Sequence, residues 1–193
     1  MPKAEANFCR NCGHAMERHV PPMEDRDRAV CPRCGFIDYV NPINVVGTIP
    51  VWNDEQVLLC RRNIEPRKHF WTLPAGFLEV GELSADGAIR ETMEEAGARI
   101  ELGRLFSVLD VPYAEQVHLY WTARLLDTDF DPGVETIECQ LFRFDEIPWP
   151  DLAFLTVRRM LELYIAHGHE PRTHYGYIDW RDRKPMKMTF PSS

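Results

Sequence analysis

Apolar positions in residues 41–170 recur with the periods of strands and helices, whereas little regular structure is predicted for residues 1–40. The predicted strands are residues 44–51, 56–61, 70–75, 100–111, 116–126 and 139–144, with a hairpin connection at 51–56. One helix is predicted over residues 84–96, and another from an N-cap at Asp151 to about His167. This order of elements predicts an α/β fold with strands between two helices.

The composition of the chain changes at about residue 40 and again at residue 171. Residues 20–28 are rich in proline and charge, which is typical of a loop. Residues 171–193 are polar and contain prolines, and the pattern assigns no chemistry to His174, Tyr175, Tyr177 or Trp180. The predicted organisation is therefore a small module at 1–40, a main domain at 41–170 and a polar C-terminal tail at 171–193.

Four of the six cysteines form two C-x-x-C pairs that eighteen residues separate, which is within the range of a zinc site with four cysteine ligands. The four are Cys9, Cys12, Cys31 and Cys34. Gly13 and Gly35 follow the pairs and suit tight turns around a metal. A structural Zn²⁺ would fold a segment that has little core, and disulfides or redox catalysis are the alternatives. Cys60 and Cys139 are isolated in the sequence and are expected to be buried thiols.

The helix predicted at 84–96 carries Glu91, Glu94 and Glu95 at positions i, i+3 and i+4, so one face bears three carboxylates. Like charges at this spacing destabilise a bare helix by roughly 0.2–0.5 kcal/mol per pair. A hard divalent cation bound by oxygen ligands would offset that repulsion. The alternative is a solvated acidic helix, which gives no reason for the glycines and the arginine that accompany the glutamates.

The segment that contains this helix resembles the Nudix box, G-x5-E-x7-R-E-U-x-E-E-x-G-U, where U is apolar. The matching residues are Gly76, Glu82, Arg90, Glu91, Glu94, Glu95 and Gly97, with Thr92 and Ala98 at the apolar positions. The resemblance implies an α/β/α sandwich with a mixed sheet. It also implies an enzyme that hydrolyses a nucleoside diphosphate linked to another group, with Mg²⁺ or Mn²⁺ as cofactor.

The resemblance also implies roles for individual residues of the box. It makes Glu91, Glu94 and Glu95 the metal ligands, together with the Gly76 carbonyl, while Arg90 orients a glutamate. Members of the family often add a catalytic carboxylate from outside the box. The candidates, in order of preference, are Glu138, Glu135 and Glu115, and the alternative for each is an ordinary surface glutamate.

Four residues near the box are candidates for substrate binding. Arg61 and Arg62 follow a predicted strand and could contact phosphates, or they could form a solvated strand end. Trp71 and Phe77 flank the Gly76 loop, where an aromatic side chain could stack on a base or pack in the core.

The presence of a zinc ribbon before a Nudix domain is similar to the NADH pyrophosphatase group, which carries a Ser-Gln-Pro-Trp-Pro-Phe-Pro motif after the box. Residues 103–112 lack that motif, which argues against NADH and capped RNA as preferred substrates. Residues 71–79, 132–139 and 174–176 resemble plant-type FAD and ADP-ribose pyrophosphatases. The resemblance therefore implies cleavage of FAD or ADP-ribose with release of AMP. The alternatives are an NADH or NAD-capped RNA pyrophosphatase, and a non-catalytic zinc-ribbon module that binds nucleic acid or protein.

The formal net charge of −8 argues against broad attraction to nucleic acid or anionic membrane, although a small nucleotide substrate remains compatible. No apolar run is long enough for a membrane-spanning helix, and the first eight residues lack the apolar stretch of a signal peptide. A cytoplasmic protein is expected. Homodimers are common in the resembled group, and the sequence leaves the oligomeric state open.

Overall fold

The computed structural model describes residues 6–178, which fold as two compact units divided between Pro42 and Ile43. The first unit contains a three-stranded antiparallel sheet. Its strands are β1 (Glu17–His19), β2 (Arg28–Val30) and β3 (Ile37–Asp38). These strands are only two or three residues long, so most of the unit consists of turns.

The second unit is built on a mixed sheet in the order β10-β5-β4-β9-β8-β11. Its strands are β4 (Ile43–Trp52), β5 (Gln56–Arg62), β6 (Trp71–Thr72), β7 (Ala75–Phe77), β8 (Ile100–Val111), β9 (Gln116–Leu125), β10 (Thr136–Arg143) and β11 (His174–Tyr177). The pairs β4–β9 and β8–β11 are parallel, and the other pairs are antiparallel. The helices are α1 (Ser84–Ala96) and α2 (Leu155–His167), with short 3-10 turns at 112–114 and 149–151.

Side chains that alternate along the strands enter two different hydrophobic clusters, because successive residues of a strand point to opposite faces. On β5, Val57 and Leu59 join a cluster that contains Met160 and Leu161 of α2. Leu58 on the same strand joins a second cluster, which contains Ala96 at the C-terminal end of α1. The structure therefore confirms the predicted sandwich, in which the mixed sheet lies between two helices.

Thr92, the polar residue at an apolar position of the box, lies on the buried side of α1 and is fully buried. Its hydroxyl donates to the Ala88 carbonyl at 2.8 Å and shares a hydrogen bond of 2.6 Å with the Thr48 hydroxyl of β4. Both hydroxyls are therefore satisfied inside the core, and the pair ties the helix to the centre of the sheet.

Two element boundaries differ from the sequence prediction. Helix α2 begins at Leu155 rather than after Asp151, because residues 152–153 are extended beside β6, where the Ala153 N–H donates to the Trp71 carbonyl at 2.8 Å. The strand predicted at 70–75 is divided into β6 and β7, which pair with different partners. Between them lies Pro74, which has no N–H to donate.

Residues 174–177, assigned to the polar tail from the sequence, form the parallel edge strand β11 beside β8. His174 and Gly176 are buried and Tyr175 and Tyr177 face outward, so the segment has the alternation of a half-buried strand. Trp180 lies outside the described residues. Cys60 and Cys139, isolated in the sequence, lie opposite each other on β5 and β10, with 3.7 Å between their sulfurs.

Candidate active site and metal centres

The Arg90 guanidinium links three glutamates of the box. Its Nε donates to Glu82 Oε1 at 2.8 Å, and its Nη1 donates to Glu91 Oε1 at 2.7 Å and to Glu94 Oε2 at 3.0 Å. Its Nη2 donates to the Phe77 carbonyl at 3.1 Å and to Glu82 Oε2 at 3.1 Å. One arginine therefore fixes the rotamers of the helix carboxylates and connects α1 to the loop that follows β7.

Gly76, which the sequence placed in a loop, is the central residue of β7 and comes into direct contact with the Glu91 carboxylate. A Cβ added to Gly76 would overlap both carboxylate oxygens and the carbon between them, so only glycine permits this approach. Burial is the main cause of a raised pKa at Glu91, while Arg90 opposes the shift and the nearby charges of Glu94 and Glu135 add to it. An ionised Glu91 therefore lacks full compensation from the protein alone.

Glu95 is the most deeply placed carboxylate of the helix face. Its Oε2 accepts a hydrogen bond from the Ala75 N–H at 3.1 Å. Burial raises its pKa to about 8; the Ala75 hydrogen bond and the Arg62 charge oppose this shift, and the charges of Glu91 and Glu135 add to it. Glu95 thus prefers to be protonated near neutral pH unless a cation is close to it.

These carboxylates line an open cavity of about 610 Å³. Its lining residues are Arg62, Ile64, Ala75, Gly76, Phe77, Glu79, Arg90, Glu91, Glu94, Glu95, Val134 and Glu135. The structure therefore brings together every residue of the predicted metal site, two of the four predicted substrate residues and one candidate for the additional carboxylate. Ile64, Glu79 and Val134 also line the cavity and were not identified from the sequence.

Arg61, Trp71 and Glu138 do not line this cavity. Arg61 and Arg62 are neighbours on one strand and therefore point to opposite faces. The Arg61 Nη1 donates to Glu138 Oε1 at 2.8 Å, and its guanidinium lies 5.9 Å from the centre of the Trp71 ring. Trp71 is buried in the core and packs edge-on against Phe142, which leaves its ring no open face for a substrate.

Glu115 does not line the cavity either; it follows the 3-10 turn between β8 and β9. Glu135, which was second in the sequence ranking, lies in the loop immediately before β10 and lines the cavity. The pairing of β10 with β5 shifts register between Thr136 and Glu138. The regular alternation of side chains along a strand is therefore interrupted there, and it does not predict the direction of Glu135 from that of Glu138.

The four cysteines of the first unit converge, with their sulfurs all within 4.8 Å of one another. The Cys9–Cys34 and Cys12–Cys31 sulfur distances are both 3.6 Å, close to the roughly 3.8 Å edge of a tetrahedron with Zn–S bonds of about 2.3 Å. The two turns match: Cys9 N–H donates to the His14 carbonyl at 2.7 Å, and Cys31 N–H to the Phe36 carbonyl at 2.8 Å.

A hydrogen bond from the Phe36 backbone is the largest cause that lowers the pKa of the Cys34 thiol, to about 6. The His14 backbone acts in the same direction on Cys12, but burial and the neighbouring thiols raise the pKa of Cys12 to about 12, so the four thiols cannot all ionise without a cation. Donors directed at sulfur favour the thiolate form that binds metal. The geometry and the donor set of this four-cysteine cluster therefore fit a zinc ion.

Comparison with known proteins agrees with both units. The family model described as NUDIX domain matches residues 42–164, and the one described as Nudix N-terminal, a zinc ribbon, matches residues 7–40. A NUDIX hydrolase from Nitrosomonas europaea is 43% identical, with a TM-score of 0.85, over 90% of this chain and 99% of that one. A UDP-X diphosphatase structure is 27% identical, with a TM-score of 0.57, over 73% of this chain and 69% of that one.

Curated relatives include the NAD-capped RNA hydrolase NudC of an Enterobacter species, which is 30% identical over 82% of this chain and 60% of that protein. The chain thus spans about 60% of the length of that relative. Within residues 6–178, no helix is long and apolar enough to cross a membrane. The match over residues 42–164, together with the box geometry around α1, shows that the chain belongs to the Nudix hydrolase family.

Proposed function

We propose that this protein is a divalent-metal-dependent pyrophosphohydrolase that acts on a nucleoside diphosphate derivative. The observation that carries the proposal is the cavity in which Arg90 holds Glu91 and Glu94 while the Ala75 amide holds Glu95. Glu91 and Glu95 have raised pKa values because burial disfavours their ionised forms. A bound cation would remove that penalty, and the hard oxygen donors of this set suit Mg²⁺ or Mn²⁺.

The cation site we propose consists of Glu91, Glu94 and Glu95 with the Gly76 carbonyl. The absence of a side chain at Gly76 leaves the Glu91 carboxylate directly against the backbone of β7, as a shared ligand set requires. When bound, the cations would neutralise the pyrophosphate and lower the pKa of the attacking water. Arg90 orients Glu91 and Glu94, and the Ala75 N–H orients Glu95.

For the additional carboxylate, the geometry favours Glu135 over Glu138. Glu135 lines the cavity beside the box glutamates, whereas Glu138 is ion-paired with Arg61 at 2.8 Å outside the cavity lining. We therefore assign to Glu135 the task of accepting a proton from the attacking water or of adding a ligand oxygen. The Arg61–Glu138 pair acts as a surface contact between β5 and β10.

For the substrate, Arg62 is positioned to contact a phosphate, and the exposed Phe77 ring is positioned to stack on a base or other ring. The missing proline-rich motif and the likeness to plant-type enzymes favour FAD or ADP-ribose. The name of the NudC relative supports the alternative of NADH or NAD-capped RNA. A non-catalytic binding module is the third option, and the complete set of box glutamates argues against it.

The test is a comparison of turnover on FAD, ADP-ribose, NADH and NAD-capped RNA with Mg²⁺ or Mn²⁺, using Glu94→Gln as the catalytically impaired control. We expect FAD or ADP-ribose to give the highest kcat/KM, by about ten- to a hundredfold. This margin equals about 1.4–2.7 kcal/mol, which is within what a stacked ring (about 1 kcal/mol) and a matched hydrogen bond (about 1–3 kcal/mol) contribute. An advantage of NADH by more than about tenfold would reject the substrate assignment and keep the hydrolase. Absence of turnover on all four substrates would favour the binding module.

We further propose that the four-cysteine cluster holds one structural Zn²⁺. Its tetrahedral spacing and its sulfur-directed amides support this ion, and four thiolates leave no open coordination position for catalysis. Such a site requires reduced cysteines, which agrees with a cytoplasmic location.

A further inference from the structure

The loop that carries Glu135 is fastened to the C-terminal end of α1. The Asp131 N–H donates to the Ala96 carbonyl at 3.0 Å, and the Gly133 N–H donates to the Glu95 carbonyl at 3.3 Å. A Cβ at Gly133 would overlap the Glu94 backbone oxygen, so the loop backbone lies directly against the helix that bears the metal-binding carboxylates.

The other side of the same loop is held by Asn63, the first residue after β5. Its backbone N–H donates to the Glu135 carbonyl at 2.8 Å, and its side-chain Nδ2 donates to the Val134 carbonyl at 3.0 Å. Asn63 is exposed and does not line the cavity, whereas Val134 and Glu135 do. Its amide therefore acts on the site only through the backbone that it holds.

We infer that Asn63 is a positioning residue, whose side-chain amide fixes the Val134–Glu135 backbone so that the Glu135 carboxylate faces Glu91 and Glu95. The inference rests on the proposed function, because it gives Asn63 a role only if Glu135 takes part in hydrolysis. The contacts with α1 hold the loop only at residues 131–133. The next residues form a turn, in which the Thr136 N–H donates to the Gly133 carbonyl at 3.0 Å. Asn63 supplies the side-chain contact at residue 134, where the chain turns toward the cavity.

The side-chain contribution can be separated from the backbone contribution, because the two hydrogen bonds have different donors. Asn63→Ala and Asn63→Asp both remove the Nδ2 donor and keep the backbone N–H, and Asp also keeps the shape of the side chain. Since Asn63 is exposed and belongs to neither hydrophobic cluster, both variants leave the core unchanged. Gln140→Ala is the matched control, because it removes an exposed amide from the neighbouring strand β10.

The experiment is a double-mutant cycle on the full chain, with kcat and KM measured on the best substrate of the panel. We expect Asn63→Ala and Asn63→Asp each to lower kcat by about tenfold, with KM changed by less than about threefold, because the loss acts on the reacting groups rather than on binding. In the Glu135→Gln background, the same Asn63 changes should cost less than about twofold, since the group they position is already absent. Gln140→Ala should leave kcat unchanged.

Amide hydrogen exchange gives a readout that does not depend on activity. Faster exchange at residues 133–136 in both Asn63 variants, with unchanged exchange in α1, supports the inference. Unchanged exchange in this loop, or a full loss of about tenfold from Asn63→Ala on top of Glu135→Gln, would overturn it while leaving the hydrolase assignment intact. No turnover by the unaltered protein would instead overturn the proposed function and this inference together.

Discussion

The two candidate metal centres differ in the structure that holds their ligands. The carboxylates belong to α1, a 13-residue helix joined to the sheet of the second unit by the buried Thr48–Thr92 contact. The four-cysteine cluster lies in turns of the first unit, where Cys9, Pro21, Ala29 and Cys31 are the only buried apolar residues among those described. Phe8, Met23 and Tyr39 of that unit are exposed. We therefore expect the second unit to fold without divalent cations and the first unit to need a bound metal for a defined structure.

The two centres should therefore fail in different ways. Loss of a carboxylate ligand should abolish chemistry in a folded protein. Loss of a thiolate ligand should unfold a small region of the first unit and leave the core of the second unit in place.

The largest effect is expected from neutralising single carboxylates of α1. Glu94→Gln and Glu95→Gln should each lower turnover by at least about a hundredfold, because one ligand charge fewer weakens cation binding and raises the pKa of the bound water. Circular dichroism should show an unchanged fold, and for Glu95→Gln the thermal midpoint should not fall. Near-wild-type rates for both variants at millimolar Mg²⁺ would show that this cluster is not the catalytic centre.

In the first unit, Cys31→Ser should remove one zinc per chain and greatly accelerate amide exchange in residues 8–38. Exchange in the strands of the second unit should stay slow, because their hydrophobic clusters do not include the ribbon. Elemental analysis of protein purified without chelator gives the zinc content. Protein that contains no zinc, or slow exchange in 8–38 after zinc removal, would contradict the dependence of this unit on metal.

The neighbouring arginines of β5 sharpen the comparison within the catalytic unit. Arg62→Ala should raise KM by about tenfold, since a lost charged hydrogen bond to phosphate costs about 1.5–3 kcal/mol before compensation by the cations. Arg61→Ala is the matched control and should change KM by less than about twofold, because its guanidinium pairs with Glu138 outside the cavity lining. Equal effects of the two changes would mean that the substrate extends beyond this cavity.

The last comparison concerns the pH dependence of stability rather than activity, in zinc-loaded protein without other divalent ions. The folded pKa of Glu95 is raised to about 8, above its ordinary value of 4.5, so its contribution to stability is present at low pH and is lost as pH rises through 8. Glu95→Gln should therefore match the wild-type melting temperature near about pH 4 and clearly exceed it at about pH 9, because a shift of the pKa from 4.5 to about 8 corresponds to a difference of up to about 5 kcal/mol. A constant difference across that pH range would contradict the assigned pKa.

The sequence predicted the parts of the molecule that local patterns determine. Helix α1 has the predicted bounds, and the structure brings its three glutamates together with Gly76 and Arg90, because these spacings follow from helix geometry and the box. The four cysteines converge for a similar reason, since each C-x-x-C pair forms its own turn.

Tertiary contacts determined what the sequence could not supply. The sequence favoured Glu138 over Glu135 because it shows neither the register shift in β10 nor the contact between Asn63 and Val134. Trp71 was a candidate for stacking because its position in the sequence is beside the Gly76 loop, but the β5–β6 pairing turns it into the core. Strand β11 was missed because a short edge strand forms through its pairing with a neighbouring strand, here β8, and that pairing is not visible in the sequence.

The most direct test of the central claim is a Mn²⁺ titration of the zinc-loaded protein at about pH 8, followed by the electron paramagnetic resonance signal of free Mn²⁺. We predict that the unaltered protein and Glu138→Gln bind Mn²⁺ equally, whereas Glu95→Gln binds it at least about tenfold more weakly, because Glu95 lines the carboxylate cavity and Glu138 does not. Equal Mn²⁺ affinity in Glu95→Gln and the unaltered protein would contradict the assignment of this cavity as the catalytic metal centre.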